Sequence, residues 1–459
     1  MGPEEITRRE QLARELAERL PGQGVRSLAM TVVDNGGITR VKTVPVSLFE
    51  RTARFGVGLT PVFEVGMVND YFTSSPEING PAGDLRLLPD PSAVRVLAAQ
   101  PGWAWAPADK YTQEGEVWGA CQRSFTRRMA ERAADMGFDL RFGTEVEWYY
   151  GRQEEDGTLV PIHEGPGYSM GVLAQISDLA RDLVVAFEEE GVGVDQFHPE
   201  YALGQLEISL PPHDPVGAAD TNVLVRSTIR AVGLRHGWRT SFSPVVIPGH
   251  VGNGGHLHMS VWQDGANLFS GGNGPHGMTE IGESFAAGIL AELPALVAVG
   301  SPSVASYLRL VPSHWAGVYA CWGRENREAA LRFVTGMVGS RESAANLEVK
   351  CFDLSANPYL AIGATIAAGL EGVERKLRLP AEFVDDPATH SPEELESMGV
   401  HRLPSSLADA VSNLERSDVL VEAMGPTLFN SFTAVRKGES ETFAGKDPEE
   451  IAAAHRWRY

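Results

Sequence analysis

Gly143-Thr-Glu-Val-Glu-Trp-Tyr-Tyr150 is the stretch on which the reading of this chain turns. Val146, Trp148 and the two tyrosines favour a β-strand. Side chains alternate along a strand, so Glu145 and Glu147 emerge on one face. Two neighbouring carboxylates repel unless a positive charge lies between or above them. A divalent metal meets that need. A solvated strand face, where water screens both charges, meets it as well, and this stretch alone leaves both open.

Partners for a metal occur further along. Glu200 and Glu207 bracket a Gly-Gln pair in Glu200-Tyr-Ala-Leu-Gly-Gln-Leu-Glu207. His256 and His258 alternate in Gly-Gly-His-Leu-His-Met-Ser, and Glu348 sits in Leu-Glu-Val-Lys. Each stretch is short and strand-like. Carboxylates with imidazole suit Mg²⁺ or Mn²⁺ better than Zn²⁺, which prefers more nitrogen and sulfur.

Composition narrows the setting. A chain of 459 residues, 43% hydrophobic, has room for two or more domains and a large core. A formal charge of −21 argues against nucleic-acid binding and is compatible with cationic substrates. Cys121, Cys321 and Cys351 are odd in number and lack metal spacing, which predicts buried thiols in a reduced cytoplasm. The acidic start, Met1-Gly-Pro-Glu-Glu-Ile, does not read as a secretion signal. No apolar run is expected to span a bilayer.

In chain order, Glu4–Leu20 has helical spacing with Leu12, Leu16 and Leu20 on one side. Val25–Val33 and Ile38–Val44 read as a hairpin turned by Asp34-Asn-Gly-Gly. Glycines and prolines punctuate Gly56–Pro91. A domain boundary is expected near Pro107, followed by a helix at Gln122–Met136. Strand Gly143–Tyr150 then precedes helix Gly171–Glu190, a strand pair within Phe197–Leu210, helix Ala218–His236 and strand Gly255–Trp262. Helices are expected at Ile281–Leu293 and Asn357–Leu377, and Ser391–Tyr459 reads as mostly helical and polar. The expected class is α+β, with a small β-rich unit over residues 1–107 and a large mixed one over residues 108–459.

The order of the polar clusters resembles the glutamine synthetase family over nearly the whole chain. The likeness is carried by Phe197-His-Pro-Glu-Tyr, His256-Leu-His258, Arg309-Leu-Val-Pro, Asn326-Arg-Glu-Ala-Ala-Leu-Arg332-Phe and Ala-Asn357-Pro-Tyr-Leu. It implies a β-grasp-like first domain and a catalytic domain with a curved antiparallel sheet. It implies ATP as co-substrate and two metal sites. Glu147, Glu200 and Glu207 resemble the ligands near the substrate; Glu145, His256 and Glu348 resemble those at the ATP phosphates. Arg327 and Arg332 resemble the arginines on the transferring phosphate, whose forks suit its oxygens. For Arg332 a structural ion pair competes with that role. Arg309 resembles the arginine that grips the amino-acid carboxylate. His258 and Ser260 resemble groups near the ATP phosphates and ribose, and for His258 a hydrogen-bonded core histidine is the alternative. Asp34 resembles an amine-deprotonating aspartate that reaches the neighbouring subunit, although Asp in a turn is usually a turn former. Tyr168 resembles a tyrosine of the ammonium pocket. The family also implies hexameric rings paired into a dodecamer.

Departures cluster at the amine and amino-acid pockets. Trp315 stands where the family's flap carries a glutamate, six residues after Arg309. Val251 occupies an expected asparagine position, with Gly252 and Asn253 beside it, and Lys350 replaces an arginine. A tryptophan there removes a charge that helps ammonium and supplies an apolar, π-rich wall for an alkylamine chain. Trp315 packing inward on a shifted flap is the alternative. The segments around Trp315 and Glu200 resemble actinobacterial members that γ-glutamylate polyamines. No tyrosine lies between Tyr359 and Tyr459, so the adenylylation switch of ammonia-using members is absent. The expected function is ATP-dependent ligation of an amine to glutamate. The rivals are an ammonia-using glutamine synthetase and a catalytically silent structural or sensing homologue.

Overall fold

The computed structural model describes residues 2–459. The first unit opens with helix Pro3–Arg19, whose first turn carries Glu4 and Glu5, favourable at a helix N-terminus. Its buried residues Ala13 and Leu16 pack on a six-stranded sheet. The strand order is Thr39–Pro45, Ser27–Val33, Trp103–Tyr111, Leu85–Pro89 and Val57–Leu59, with Arg95–Val96 also on the Trp103 strand. The hairpin expected around Asp34 is present and pairs Ser27 with Pro45 through Val33 with Thr39. The sheet runs past the boundary expected at Pro107, since Pro107 lies inside the central strand Trp103–Tyr111.

The second unit is built on a ten-stranded sheet, almost wholly antiparallel. Seven of its strands run in the order Tyr319–Arg324, Ala329–Val334, Asn346–Val349, Leu257–Gln263, Asp139–Gln153, Gln205–Ser209 and Gln196–Pro199, with Leu159–Pro161 and Arg239–Ser241 also on the Asp139 strand and Ala266–Asn267 on the Leu257 strand. The deciding strand is longer than expected, at 15 residues, and lies within the sheet. Its alternation is the one read from sequence. Val146, Trp148 and Tyr150 are fully buried in the main core, so Glu145 and Glu147 face the other way.

Helices Gln122–Asp135, Ser177–Glu190, Pro215–Arg235, Glu280–Gly300 and Pro358–Glu374 belong to this unit. The last is capped by Asn357, whose side chain accepts from the Tyr359 and Leu360 amides, with Pro358 at the first turn. Asn357 Nδ2 also donates to the carbonyls of Val33 and Asp34, tying the first hairpin to the second unit. Two expectations change. The helix expected over Gly171–Glu190 is two, Met170–Gln175 and Ser177–Glu190, because Ile176 leaves helical geometry (ψ 10°) and buries its side chain. Helix Glu280–Gly300 is, by length and composition, long and apolar enough to cross a membrane, contrary to the sequence reading. With 72% of that window buried inside the protein, it is a core helix. The C-terminal segment is helical as expected, but not merely a polar surface. Arg436 is fully buried and donates to the carbonyls of Pro302 and Asn35.

Candidate active site

Register assembles the site. Gln205–Ser209 pairs antiparallel with the long strand so that Glu207 lies directly opposite Glu147. On the other side of Gln205–Ser209, Glu207 lies opposite His198. Like charges directly opposite each other destabilise a sheet, so this pairing costs stability unless a cation joins it. Across the opposite edge, His258 pairs with both Gly143 and Glu348, and Glu348 pairs with Arg332. Two clusters on adjacent strands result.

The first holds Glu147, Glu200 and Glu207, with His198 added. His198 Nδ1 is 3.3 Å from Glu200 Oε2 and its Nε2 is 3.9 Å from Glu207 Oε1. His198, Glu200 and Glu207 present ligand atoms within 4.8 Å of one another. Burial and the neighbouring carboxylates of Glu147, Glu145 and Glu200 push the Glu207 carboxyl up to about 11. Burial raises Glu147 too. Burial opposes the charge on Glu200, but the neighbouring His198 ring and Tyr168 hydroxyl outweigh it and hold that carboxyl low. Glu147 Oε2 accepts from the Gly254 amide at 2.7 Å and from Gln205 Nε2 at 2.8 Å. A side chain at Gly254 would meet Glu147 Oε1 and Arg309 Nη2, each at 2.9 Å, so glycine lets the backbone close on the carboxylate.

The second cluster holds Glu145, Glu348, His256 and His258. His256 Nδ1 is 2.8 Å from Glu145 Oε2 and 3.3 Å from Glu348 Oε1. His258 Nε2 is 3.4 Å from Glu145 Oε1, and His258, Glu145 and Glu348 also converge within 4.8 Å. Both imidazoles therefore reach the same carboxylates. His258 Nδ1 lies 2.9 Å from Asn346 Oδ1, an arrangement that makes Nδ1 the donor and turns the other ring nitrogen toward Glu145. Burial disfavours the charge on Glu348, but Lys350, His258 and His256 pull its carboxyl down to about 2.

The residues present fit a hard divalent cation. Among the described residues, Glu200 Oε2 and His258 Nε2 are buried without a hydrogen-bond partner, and the donor set is carboxylate oxygen with imidazole nitrogen. Beside the second cluster opens a cavity of about 550 Å³ lined by Arg141, Glu145, Asp195, His258, Ser260 and Asn346. That is within the size range of small-molecule sites.

The basic residues divide. Arg309 is buried against the carbonyls of Cys351 and Lys350 and approaches His256 Nε2 at 3.3 Å; no carboxylate pairs with it among the described residues. Arg327 is exposed and likewise has no ion pair there. Arg332 donates to Glu348 Oε2 at 2.9 Å and to Glu325 Oε2 at 3.2 Å, the structural ion pair left open by the sequence. Lys350 Nζ donates to Glu348 Oε1 at 3.0 Å. Gly252 offers its carbonyl to Gln205 Nε2, next to Asn253, whose side chain meets the same donor. Ser260 accepts from Trp262 Nε1.

Asp34 is not brought into the cluster of its own chain. One oxygen accepts from the Ile38 amide and the other from Arg40 Nε at 2.7 Å. Burial nonetheless pushes its carboxyl up to about 6. Trp315 is on the surface, 44% exposed, and meets Tyr201 edge to face at 5.0 Å between ring centroids. Tyr168 stacks on His198 at 4.8 Å. Tyr168 thus lies at the Glu200 carboxylate, and Trp315 packs on the residue that follows Glu200 in the chain. His198, Gln205, Gly254 and Asn346 were not singled out from sequence. His198 and Gln205 sit inside quoted motifs, and only the strand register turns them toward the acids.

A family model described as the glutamine synthetase catalytic domain matches residues 119–453, and one described as the glutamine synthetase N-terminal domain matches residues 13–118. A γ-glutamylpolyamine synthetase, GlnA3, of Streptomyces coelicolor is 50% identical over 97% of this chain and 96% of its own length. A glutamine synthetase of Methanocaldococcus jannaschii is 30% identical over 93% of this chain and 94% of its own. Among solved structures, a glutamine synthase homologue superposes with a TM-score of 0.85 at 33% identity, covering 95% of this chain and 99% of that one. An ADP complex of GmaS gives 0.82 at 27% identity, covering 94% and 97%.

Proposed function

The chain belongs to the glutamine synthetase family, and from that premise we propose that it is an ATP-dependent ligase joining the γ-carboxylate of glutamate to a polyamine or other alkylamine. The observation that carries the reading is the set of aromatic rings at the Glu200 segment: Tyr168 beside Glu200 and stacked on His198, and Trp315 edge to face on Tyr201, the next residue in the chain. An apolar, π-faced wall above negative charge suits a cation on a methylene chain. The 50% identity to a γ-glutamylpolyamine synthetase supports the same substrate class.

In this reading ATP enters the cavity beside His258 and Ser260, and glutamate is held by Arg309, whose charge is free of any carboxylate partner. The γ-carboxylate attacks the γ-phosphorus, the bond to ADP breaks, and γ-glutamyl phosphate forms. Arg327, exposed and without an ion pair among the described residues, takes the transferring phosphoryl oxygens. Mg²⁺ or Mn²⁺ bound by Glu147, Glu200 and Glu207, and by Glu145, His256 and Glu348, would supply charge neutralisation at the phosphates. The amine, guided past Trp315 and Tyr168, attacks the acyl carbon and phosphate leaves. It must first lose a proton. Asp34 is the acceptor suggested by the family, and a carboxyl near 6 has suitable basicity. Held behind Arg40 in its own chain, it serves the site of a neighbouring copy or none. Rings of six paired into a dodecamer, and a cytoplasmic location, accompany this reading.

Phosphate release from ATP and glutamate, measured across ammonium, alkylamines and polyamines, tests it. Release that rises with amine chain length is expected. Release with ammonium alone would make the protein an ordinary glutamine synthetase, and no release with any amine would favour a silent homologue.

A further inference from the structure

Trp315 adopts a backbone conformation its side chain resists. Its φ is +55°, in the left-handed region, where a bulky residue is an outlier. Ser313 (φ +59°) and Gly317 (φ +62°) on either side lie there too. Such a conformation persists only where surrounding structure over-determines it, and it gathers at functional sites. What holds the segment is therefore informative.

The holding group is Glu328. Its Oε1 accepts from the Trp315 amide at 2.8 Å. The residue is 8% exposed, and Oε2 is buried without a hydrogen-bond partner. Glu328 is itself anchored. Asn326 Oδ1 accepts from the Glu328 amide at 3.0 Å, while Asn326 Nδ2 donates to the carbonyls of Phe383 and Asp385, each at 2.9 Å. A buried side-chain oxygen that accepts from a backbone amide holds that amide in place, because losing the acceptor would leave a buried donor unpaired. With the Trp315 backbone gripped from below, the indole lies outward, edge-on to Tyr201, the residue next to Glu200.

We infer that Glu328 is a positioning residue for amine specificity: it fixes the backbone of residues 312–317 so that Trp315 closes an aromatic wall with Tyr201 over the amine entrance. The inference rests on the amine-ligase reading above and adds to it a group that acts through Trp315 without touching the amine. Glu328 follows Arg327 in sequence, yet its side chain is buried under the segment that carries Trp315 while Arg327 stays exposed.

The test is kcat/KM for ammonium and for neutral-tailed alkylamines of increasing length in wild type, E328A, E328Q, W315A and the E328A/W315A double variant. E328A should lower the alkylamine-to-ammonium ratio about tenfold, the size of one aromatic contact, through KM for the alkylamine with kcat little changed. E328Q should keep the wild-type ratio, because its amide oxygen still accepts from the Trp315 amide. The double variant should be no worse than W315A, since both lesions remove one wall. Equal losses with ammonium and alkylamine in E328A, a failure of E328Q to rescue, or additive losses in the double variant would overturn the inference. Should E328A not fold, E328D shortens the reach while keeping the charge. It should lower the ratio, and a wild-type ratio in E328D would overturn the inference. A wild-type enzyme that accepts only ammonium overturns the amine reading and this inference together. A wild type that prefers alkylamines, with an unchanged ratio in E328A, overturns this inference alone.

Discussion

Arg123 and Glu207 are both buried among charges, and the company each keeps is opposite in kind. Arg123 donates to both oxygens of Asp220, to Asp109 Oδ2 at 3.0 Å and to Asp90 Oδ2 at 2.8 Å. Asp109 also pairs with Arg127, and Asp220 accepts from the Tyr359 hydroxyl. Strands of the first sheet are thereby clamped to helices of the second unit by acids that each have a guanidinium. Glu207 instead faces Glu147 and Glu200, with no Arg or Lys within salt-bridge distance of any of the three among the described residues. A buried charge network that closes on itself is structural. One left short of positive charge waits for a cation from outside.

The contrast can be broken most sharply at the acids themselves. Glu147→Ala or Glu207→Ala should lower kcat by about three orders of magnitude, because each removes a carboxylate proposed above to hold the cation that neutralises phosphoryl charge, an effect worth several kcal/mol. The thermal midpoint without metal should be unchanged or slightly raised, since the crowding of buried carboxyls that pushes Glu207 up is relieved. Near wild-type turnover with saturating Mg²⁺ would break the comparison.

Asp220→Ala is the converse lesion. It leaves Arg123 with part of its buried charge unpaired and should destabilise by about 3–5 kcal/mol in denaturant unfolding. KM for ATP and glutamate should stay within a few-fold at temperatures where the variant is folded. A variant as stable as wild type would show that the clamp is dispensable.

Glu190 sharpens the comparison through pH. Its carboxylate accepts from the Ala98 amide and the Thr228 hydroxyl, joining the same two units, and burial pushes it up to about 7. With the folded value above the ordinary one, its contribution is complete below about 4.5 and lost as pH rises through about 7. The thermal midpoint should therefore fall between pH 5 and pH 8, by up to about 3 kcal/mol of stability from this group. Glu190→Gln should flatten that slope, and an unaltered slope would exclude Glu190 as its source.

The smallest effect lies at the rim of the open cluster. Trp315→Glu restores a flap carboxylate and removes the aromatic wall. The alkylamine-to-ammonium ratio of kcat/KM should drop roughly tenfold, or about 1.4 kcal/mol. Neutral-tailed amines are the right probes, because a second ammonium group on a polyamine could pair with the new glutamate. An unchanged ratio would place Trp315 away from the amine.

Much of this was legible in the chain. Val146, Trp148 and Tyr150 alternate with Glu145 and Glu147 so regularly that period two was enough to say which side would be buried and which would hold charge. The shared faces of the acid- and histidine-bearing stretches were legible for the same local reason, since side chains two residues apart on a strand share a face. Other features were silent. Ile176 splits a continuous helical pattern because its burial is a tertiary matter. Glu280–Gly300 is apolar because helices pack around it, which periodicity alone does not distinguish from a membrane span.

The sequence by itself determined the chemistry available to the protein: which strand faces carry acids, which motifs carry arginines, and that a tryptophan stands six residues after Arg309. Those are properties of residue type and spacing along a few turns of chain. Tertiary structure alone decided how the charges were shared. Arg332 and Lys350 are spent on Glu348, Arg309 and Arg327 remain uncommitted, and Asp34 is bound to Arg40. It also brought Glu328 beneath Trp315 and His198 beside Glu207. The physical reason is that pairing depends on distances across strands and loops, which register and packing set and linear spacing does not contain.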